Sequence, residues 1–218
     1  MKKKHVAVLM GGWSSEREVS LSSGNGVCQA LVELGYEVTP IDVVGYLPDL
    51  VQKLEICKPD VIFNALHGVG GEDGVIQGVL EMMQIPYTHS GVTASALAMN
   101  KVLSRQIFKQ HGIPVPIDKV IHLSDLRLKH PMDFPYVIKP IGEGSSRGVS
   151  ILYNEDDYQK ALCEWTFGND ILVEKYIPGR EIQVSVINGK AIGALEIVVK
   201  NGYYDYKAKY TPGIAEHL

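Results

Sequence analysis

The sequence predicts an α/β fold in two parts. A parallel sheet covered by helices comes first, and an α+β region of mostly antiparallel strands follows. Three observations carry this. Strand and helix patterns alternate along roughly the first hundred residues, the arrangement that builds parallel sheets. The alternation stops near Asn100, and Pro114 and Pro116 follow soon after. Glycine-rich stretches sit just past predicted strands, where ligand loops of such folds lie.

Residues 5–10 form a short apolar strand that ends in the turn Gly11-Gly12. Val19, Ser23, Val27, Ala30, Leu31 and Leu34 fall on one helical face, and Gly35 stands where a helix stops. Residues 36–43 read as the next strand. Leu47, Leu50, Val51 and Leu54 make a second helical stripe, which Pro59-Asp60 breaks. Val61-Ile62-Phe63 is a third buried strand, and Val75, Val79, Leu80 and Met83 mark a third helix. A helix over 101–111 ends at Gly112. Beyond it, 136–139, 149–152, 171–174 and 182–187 read as strands. The helix at 155–165 starts from Asn154, with Asp157 in capping-box position. The last eight residues, 211–218, are expected to form no closed element.

Composition bounds the function. The 218 residues suffice for one large domain or two small ones. At 45% apolar and 21% charged they suit a soluble globular protein. The net charge is -4 and no basic block exceeds Lys2-Lys3-Lys4, which argues against a nucleic-acid surface. The apolar run 6–10 is too short for a signal-peptide core, and no stretch approaches the ~18 apolar residues of a membrane helix. Cys28, Cys57 and Cys163 form no metal pattern and read as buried, reduced thiols of a cytoplasmic protein.

Five segments carry the chemistry. Lys139-Pro140-Ile141-Gly142-Glu143-Gly144-Ser145-Ser146-Arg147-Gly148 lies between two strands, so it is a glycine-rich hairpin and not a loop opening a helix. Its amides can approach phosphates, with Lys139 adding positive charge at the mouth. The alternative is an ordinary flexible hairpin. Gly11-Gly12-Trp13-Ser14-Ser15-Glu16-Arg17-Glu18 is either a ligand loop or a cap, with Ser14 or Ser15 capping the helix and Glu16 and Glu18 complementing its dipole. Ala65-Leu66-His67-Gly68-Val69-Gly70-Gly71-Glu72-Asp73-Gly74 is a tight loop. There His67 either binds a carboxylate or bonds within the loop, and Glu72-Asp73 either serve a site or cap the next helix. In 171–181, an edge peptide between strands suits an adenine ring and a following carboxylate suits ribose. In 203–210, aromatic and basic residues alternate, as in a lid that carries a lysine toward phosphate or in a polar edge strand.

Taken together and in this order, these segments resemble the D-alanine–D-alanine ligases, ATP-grasp enzymes, over essentially the whole chain. The most specific matches are GGWSSEREVSL, ALHGVGGEDG, KPIGEGSSRG and YDYKAKY. The resemblance implies an N-terminal α/β substrate-binding domain at 1–99, a central ATP-grasp domain at 100–188, and at 189–218 the start of an incomplete C-terminal ATP-grasp domain. It implies ATP-dependent joining of two D-alanines through a D-alanyl phosphate, for peptidoglycan precursor synthesis, in a cytoplasmic homodimer that uses Mg²⁺.

Residue by residue, Glu16 matches the carboxylate that holds the first D-alanine's ammonium group. Ser145 and Tyr210 match the pair that steers the second substrate and closes the site. His67 matches a histidine near the first substrate's carboxylate. Lys101, Lys139 and Lys209 match phosphate ligands. Glu174, Lys175 and Ile177 match the adenine edge, the latter two through backbone atoms, and Glu181 matches the ribose ligand. The pair Lys209-Tyr210 resembles the dipeptide-forming branch. The family's Mg²⁺ carboxylates and oxyanion arginine have no counterpart here, so metal ligands are expected beyond Leu218, and the chain alone is expected to lack ligase turnover. The competing expectations are an ATP-grasp ligase with D-lactate or D-serine as acceptor, and a truncated paralogue that binds without catalysis.

Overall fold

The computed structural model describes residues 3–200 and 202–218. Lys2 of the lysine run lies outside them. The chain divides into two compact units, Met1–Ser104 and Arg105–Leu218.

In the first unit, β1 (His5–Gly11), β2 (Glu37–Val43) and β3 (Val61–Asn64) form a parallel sheet in the order β2-β1-β3. The connections are α1 (Arg17–Glu33) and α2 (Leu47–Cys57), and α3 (Val75–Met82) follows β3. Successive residues of β1 point to opposite faces, and both faces are covered. Ala7 and Leu9 pack with Leu50, Leu54, Ile76 and Leu80, whereas Val6 and Val8 pack with Val27, Cys28 and Leu31. This is why β1 reads as a continuous apolar run and not as an alternation.

The inward face of α1 differs from the apolar stripe. Ser20 and Gly24 are its buried residues, while Ser23, Ala30 and Leu34 are exposed and Val19 is half-buried. The cause is close approach: a Cβ on Gly24 would stand 2.5 Å from Met10 Cβ. A helix this near its strand needs small residues beneath it, whatever their apolarity. In α2, Leu50 and Leu54 point inward and Leu47 does not. In α3, Ile76 and Gln77 join Leu80 in the interior, with Val79 and Met83 at its margin. A further helix, α4 (Val92–Met99), has no counterpart in the sequence reading. Its own apolar and small residues are spread around all of its faces, so no stripe marks it.

The helix α5 (Lys101–Gln110) runs across the division between the units. In the second unit, β4 (Asp118–His122), β5 (Tyr136–Pro140), β6 (Ser150–Leu152) and β7 (Asp170–Lys175) make an antiparallel sheet in the order β4-β7-β5-β6. The short α6 (Leu123–Leu126) and α7 (Glu155–Glu164) contribute Leu126, Tyr158, Ala161 and Leu162 to its core. The start of α7 follows the sequence signal: Asp157 N donates to Asn154 Oδ1 at 3.0 Å. The return bond to Asp157 Oδ2 comes from Tyr153 N and not from Asn154.

A second antiparallel sheet, β10-β9-β8, contains β8 (Glu181–Ile187), β9 (Lys190–Val199) and β10 (Ala215–His217). The last of these corrects the expectation for 211–218. Ala215 pairs with Val199 and His217 with Ile197, and Leu218 exchanges two backbone bonds with Glu196. Three residues are too few to show a period. Residues 206–210 are likewise not an edge strand but a short helix, α8 (Tyr206–Tyr210), capped by Asp205, whose Oδ1 accepts from Ala208 N at 2.7 Å. Cys163 is exposed, against the expectation of burial, while Cys28 and Cys57 are half-buried. No helix among the described residues is long and apolar enough to cross a membrane.

Candidate active site

The first unit's site forms where its strand order reverses. The chain leaves β1 toward β2 and then crosses back to β3 on the other side, and such a switch point is where folds of this kind place their ligand loops. Hydrogen bonds join these two loops. Ser14 Oγ donates to His67 O at 2.7 Å and accepts from Glu16 N at 3.1 Å, and Ser20 Oγ donates to Ala65 O at 2.6 Å. Neither Ser14 nor Ser15 is the N-cap residue of α1. That position is Glu16, and no side chain caps it. Glu16 is 2% exposed, and its carboxylate lies against Gly68: a Cβ there would meet Oε2 at 2.7 Å. A carboxylate at a helix start is favoured by the helix dipole. Glu18 is exposed on the first turn.

His67 bonds within its loop. Nδ1 stands 2.8 Å from Ala65 O, and a carbonyl only accepts, so Nδ1 carries the proton. The neutral ring therefore presents Nε2 as an acceptor, and it can donate to a carboxylate only as imidazolium. Glu72 Oε2 accepts from Gly68 N, and Asp73 accepts from Gly70 N and Val75 N, so this pair mainly braces the loop. Two residues missed in the sequence hold the loop from below. Asn64 Nδ2 and Gln77 Nε2 both donate to Gly71 O at 2.9 Å, and both residues are buried. The available signal was a glutamine inside the apolar pattern of α3. Lys101 is half-buried at the first position of α5, where Asn100 Oδ1 accepts from Val102 N and Leu103 N.

In the second unit, strand register sorts the side chains. Tyr136 and Ile138 of β5 and Ile171 and Val173 of β7 face the core under α7, so Val137, Lys139, Leu172 and Glu174 share the opposite face. There the buried Glu174 carboxylate takes Lys139 on Oε1 and Arg105 on Oε2. Burial holds the Arg105 guanidinium below its ordinary range, and the charge of Asp118 partly offsets this. Arg105 had no place in the sequence reading.

The expected edge peptide is not at an edge. β7 lies between β4 and β5, and Lys175 N donates to Ile117 O at 2.9 Å. Chain leaves the sheet after Lys175, and Ile177 is exposed. Glu181 opens β8 and is also exposed. A cavity of about 980 Å³ lies beside this turn, lined in part by Ile117, Phe134, Lys175, Tyr176 and Pro178.

Between β5 and β6 the glycine-rich segment makes the expected hairpin. Ser145 and Ser146 both adopt positive φ, 47° and 57°, a strained conformation for residues with a Cβ. Segment 203–210 docks on this hairpin. Ser145 Oγ and Tyr210 OH are 2.7 Å apart, Ser146 Oγ donates to Tyr204 O at 2.9 Å, and Tyr203 OH donates to Val149 O at 2.5 Å. Arg147 stands over the Tyr206 ring and Lys209 over the Tyr204 ring.

These elements define a protein whose loops, carried on an α/β unit and an α+β unit, concentrate buried carboxylates and basic groups. Comparison with known proteins gives the family. The sequence model "D-ala D-ala ligase C-terminus" matches residues 107–217, and "D-ala D-ala ligase N-terminus" matches 46–90. The chain belongs to the D-Ala–D-Ala ligase family. It is 52% identical over 217 residues to the D-alanine--D-alanine ligase of Rickettsia canadensis, covering 99% of this chain and 60% of that protein. Against the enzyme of Rickettsia felis the figures are 51%, 99% and 67%. Among solved structures, D-alanine--D-alanine ligase from Bacillus anthracis aligns with a TM-score of 0.80 at 33% identity, covering 99% of this chain and 71% of that one. The same enzyme complexed with ATP gives 0.77 at 30%, covering 99% and 70%. VanG D-Ala:D-Ser ligase from Enterococcus faecalis gives 0.72 at 25%, covering 99% and 76%. The chain thus spans about 60–67% of the length of the curated relatives it matches.

Proposed function

We propose that this chain carries the substrate-binding and nucleotide-binding parts of an ATP-dependent D-alanine–D-alanine ligase, organised as 1–99, 100–188 and 189–218. The observation that carries the reading is the Ser145–Tyr210 hydrogen bond at 2.7 Å, with Lys209 on the same short helix. A lid that brings a lysine and a hydroxyl to a phosphate-type hairpin is what acyl-phosphate chemistry requires.

In the proposed reaction, a carboxylate oxygen of the first D-alanine takes the γ-phosphoryl group of ATP. The P–O bond to ADP breaks and an acyl phosphate forms. The amine of the second D-alanine attacks the carbonyl carbon and loses a proton. The C–N bond forms, the C–O bond to phosphate breaks, and inorganic phosphate leaves. Phosphoryl transfer rests mainly on positioning and positive charge, assigned here to Lys101, Lys139 and Lys209.

Glu16 is assigned to the first substrate's ammonium group and His67 to its carboxylate. Ser145 and Tyr210 are assigned to the second substrate. Glu174 and Ile177 are assigned to adenine and Glu181 to ribose. Because the Lys175 amide already serves Ile117, the backbone contact of Lys175 to adenine is assigned to its carbonyl and that of Ile177 to its amide. Mg²⁺ belongs to the proposal only through the family. No group of three or more His, Cys, Asp or Glu converges among the described residues. A homodimer in the cytoplasm, serving peptidoglycan precursor synthesis, completes the reading.

The test is phosphate release and dipeptide formation from ATP by the full-length protein that carries this segment, with D-alanine as sole amino acid. Release that depends on D-alanine is expected, and its absence would remove the assignment. Likeness to a D-Ala:D-Ser ligase favours one second reading, with D-serine as acceptor. A mixed dipeptide dominating in competition between D-alanine and D-serine would select it.

A further inference from the structure

We infer that Tyr203 and Ser146, supported by Arg147, are positioning residues that hold segment 203–210 on the glycine-rich hairpin independently of the Ser145–Tyr210 bond. The inference rests on the ligase reading, since it assigns this docking to the lid of that reaction.

Four observations support it. Both contacts join a side chain to a backbone carbonyl of the opposite segment. Ser146 Oγ reaches Tyr204 O at 2.9 Å, and Tyr203 OH reaches Val149 O at 2.5 Å. They cross in opposite senses, hairpin to lid and lid to hairpin, so the two backbones are tied twice ahead of the α8 turn that ends in Tyr210. The Ser146 bond depends on a backbone at φ 57°, where a side chain is strained. Strain held at a residue with this contact suggests that the contact is what retains it. Finally, the Tyr203 ring is half-buried, and burial pushes its phenol above the ordinary range, with Asp205 adding to the shift. The hydroxyl therefore keeps its proton, and its donor role, through neutral pH.

Arg147 adds a third tie. Its guanidinium lies 5.3 Å from the Tyr206 ring centroid. Tyr206 and Tyr210 are four residues apart on α8 with ring centroids 4.8 Å apart, so holding one restrains the other. Loss of the latch would leave Ser145 and Tyr210 intact but let water reach the acyl phosphate. Water would then add to the carbonyl carbon, phosphate would leave, and the carboxylate would be regenerated. ATP would be spent without a dipeptide.

The experiment uses Tyr203→Phe, which keeps the ring, and Ser146→Gly, which keeps the positive φ while removing the hydroxyl. Two readouts are taken on the full-length protein that carries this segment. One is hydrogen exchange of amides 206–211 without ligand. The other is phosphate released per dipeptide formed at saturating D-alanine. Each variant is expected to speed exchange about fivefold to tenfold, the scale of one hydrogen bond, and to raise the phosphate-to-dipeptide ratio above one. General damage to the fold would lower both products together and leave the ratio at one. Unchanged exchange in both variants would overturn the latch. Absence of D-alanine-dependent release in the unaltered full-length protein would instead count against the ligase reading, and exchange would still decide the latch.

Discussion

Lys139 and Glu174 form an ion pair on the face of the four-stranded sheet opposite α7, and Arg105 shares the same carboxylate. All three side chains are largely buried. Removing one partner from such a cluster leaves uncompensated charge. Glu174→Gln is expected to destabilise the second unit by about 3 kcal/mol, the scale for breaking a buried pair. Pairing it with Arg105→Met should recover part of that loss. Denaturant unfolding of the single and double variants measures this, and additive losses would show that Arg105 and Glu174 do not interact.

Gly68 stands against the Glu16 carboxylate at φ 67°. A methyl group there meets Oε2 at 2.7 Å and adds backbone strain. Gly68→Ala is expected to cost about 1–3 kcal/mol and, in the full-length protein, to raise the KM for D-alanine more than that for ATP. Equal changes in both constants would mean that the loop does not serve the amino-acid site.

Arg17 forks onto Asp42, donating from Nη1 at 2.8 Å and from Nη2 at 2.7 Å. The side-chain hydrogen bond from Arg17 holds the Asp42 carboxyl below its ordinary value of about 3.9. The unfolded chain therefore takes up this proton more readily. The stabilisation is complete above that ordinary value and is lost as pH falls through the lower folded value. Because the pair is partly exposed, the effect is small and screened by salt. Unfolding midpoints between about pH 2 and pH 5 should show the slope in the parent chain and a reduced one in Arg17→Met.

The three thiols should separate in reactivity. Burial pushes the Cys28 and Cys57 thiols up, whereas Cys163 is exposed. Access favours Cys163, and the raised thiols of Cys28 and Cys57 supply less thiolate. Labelling of the native chain should modify it first, and Cys163→Ser should abolish the fast phase. A fast phase that survives would mean that Cys28 or Cys57 opens readily.

Legibility followed the range of each interaction. The alternation of strands and helices in the first unit, the Asn154 cap and the hairpin after Lys139 rest on neighbours a few residues apart, and each was readable. The burial of Ser20 and Gly24 was not, because apolar counting cannot see that Met10 comes within contact of the helix. Strands β4, β9 and β10 escaped because their residues are mostly exposed or too few to alternate clearly.

Of the candidate site, the residue types and loops could be read, but the partners could not. The sequence by itself determined the order of elements, the positions of the glycine-rich turns and the chemical inventory at the strand ends, since local sterics and periodicity act through adjacent residues. The tertiary structure alone decided that Glu174 holds both Lys139 and Arg105, that His67 turns Nδ1 to its own loop, and that Tyr203 grips Val149. Glu174 meets partners 35 and 69 positions away. Such pairings are set by packing and burial, which no spacing along the chain encodes.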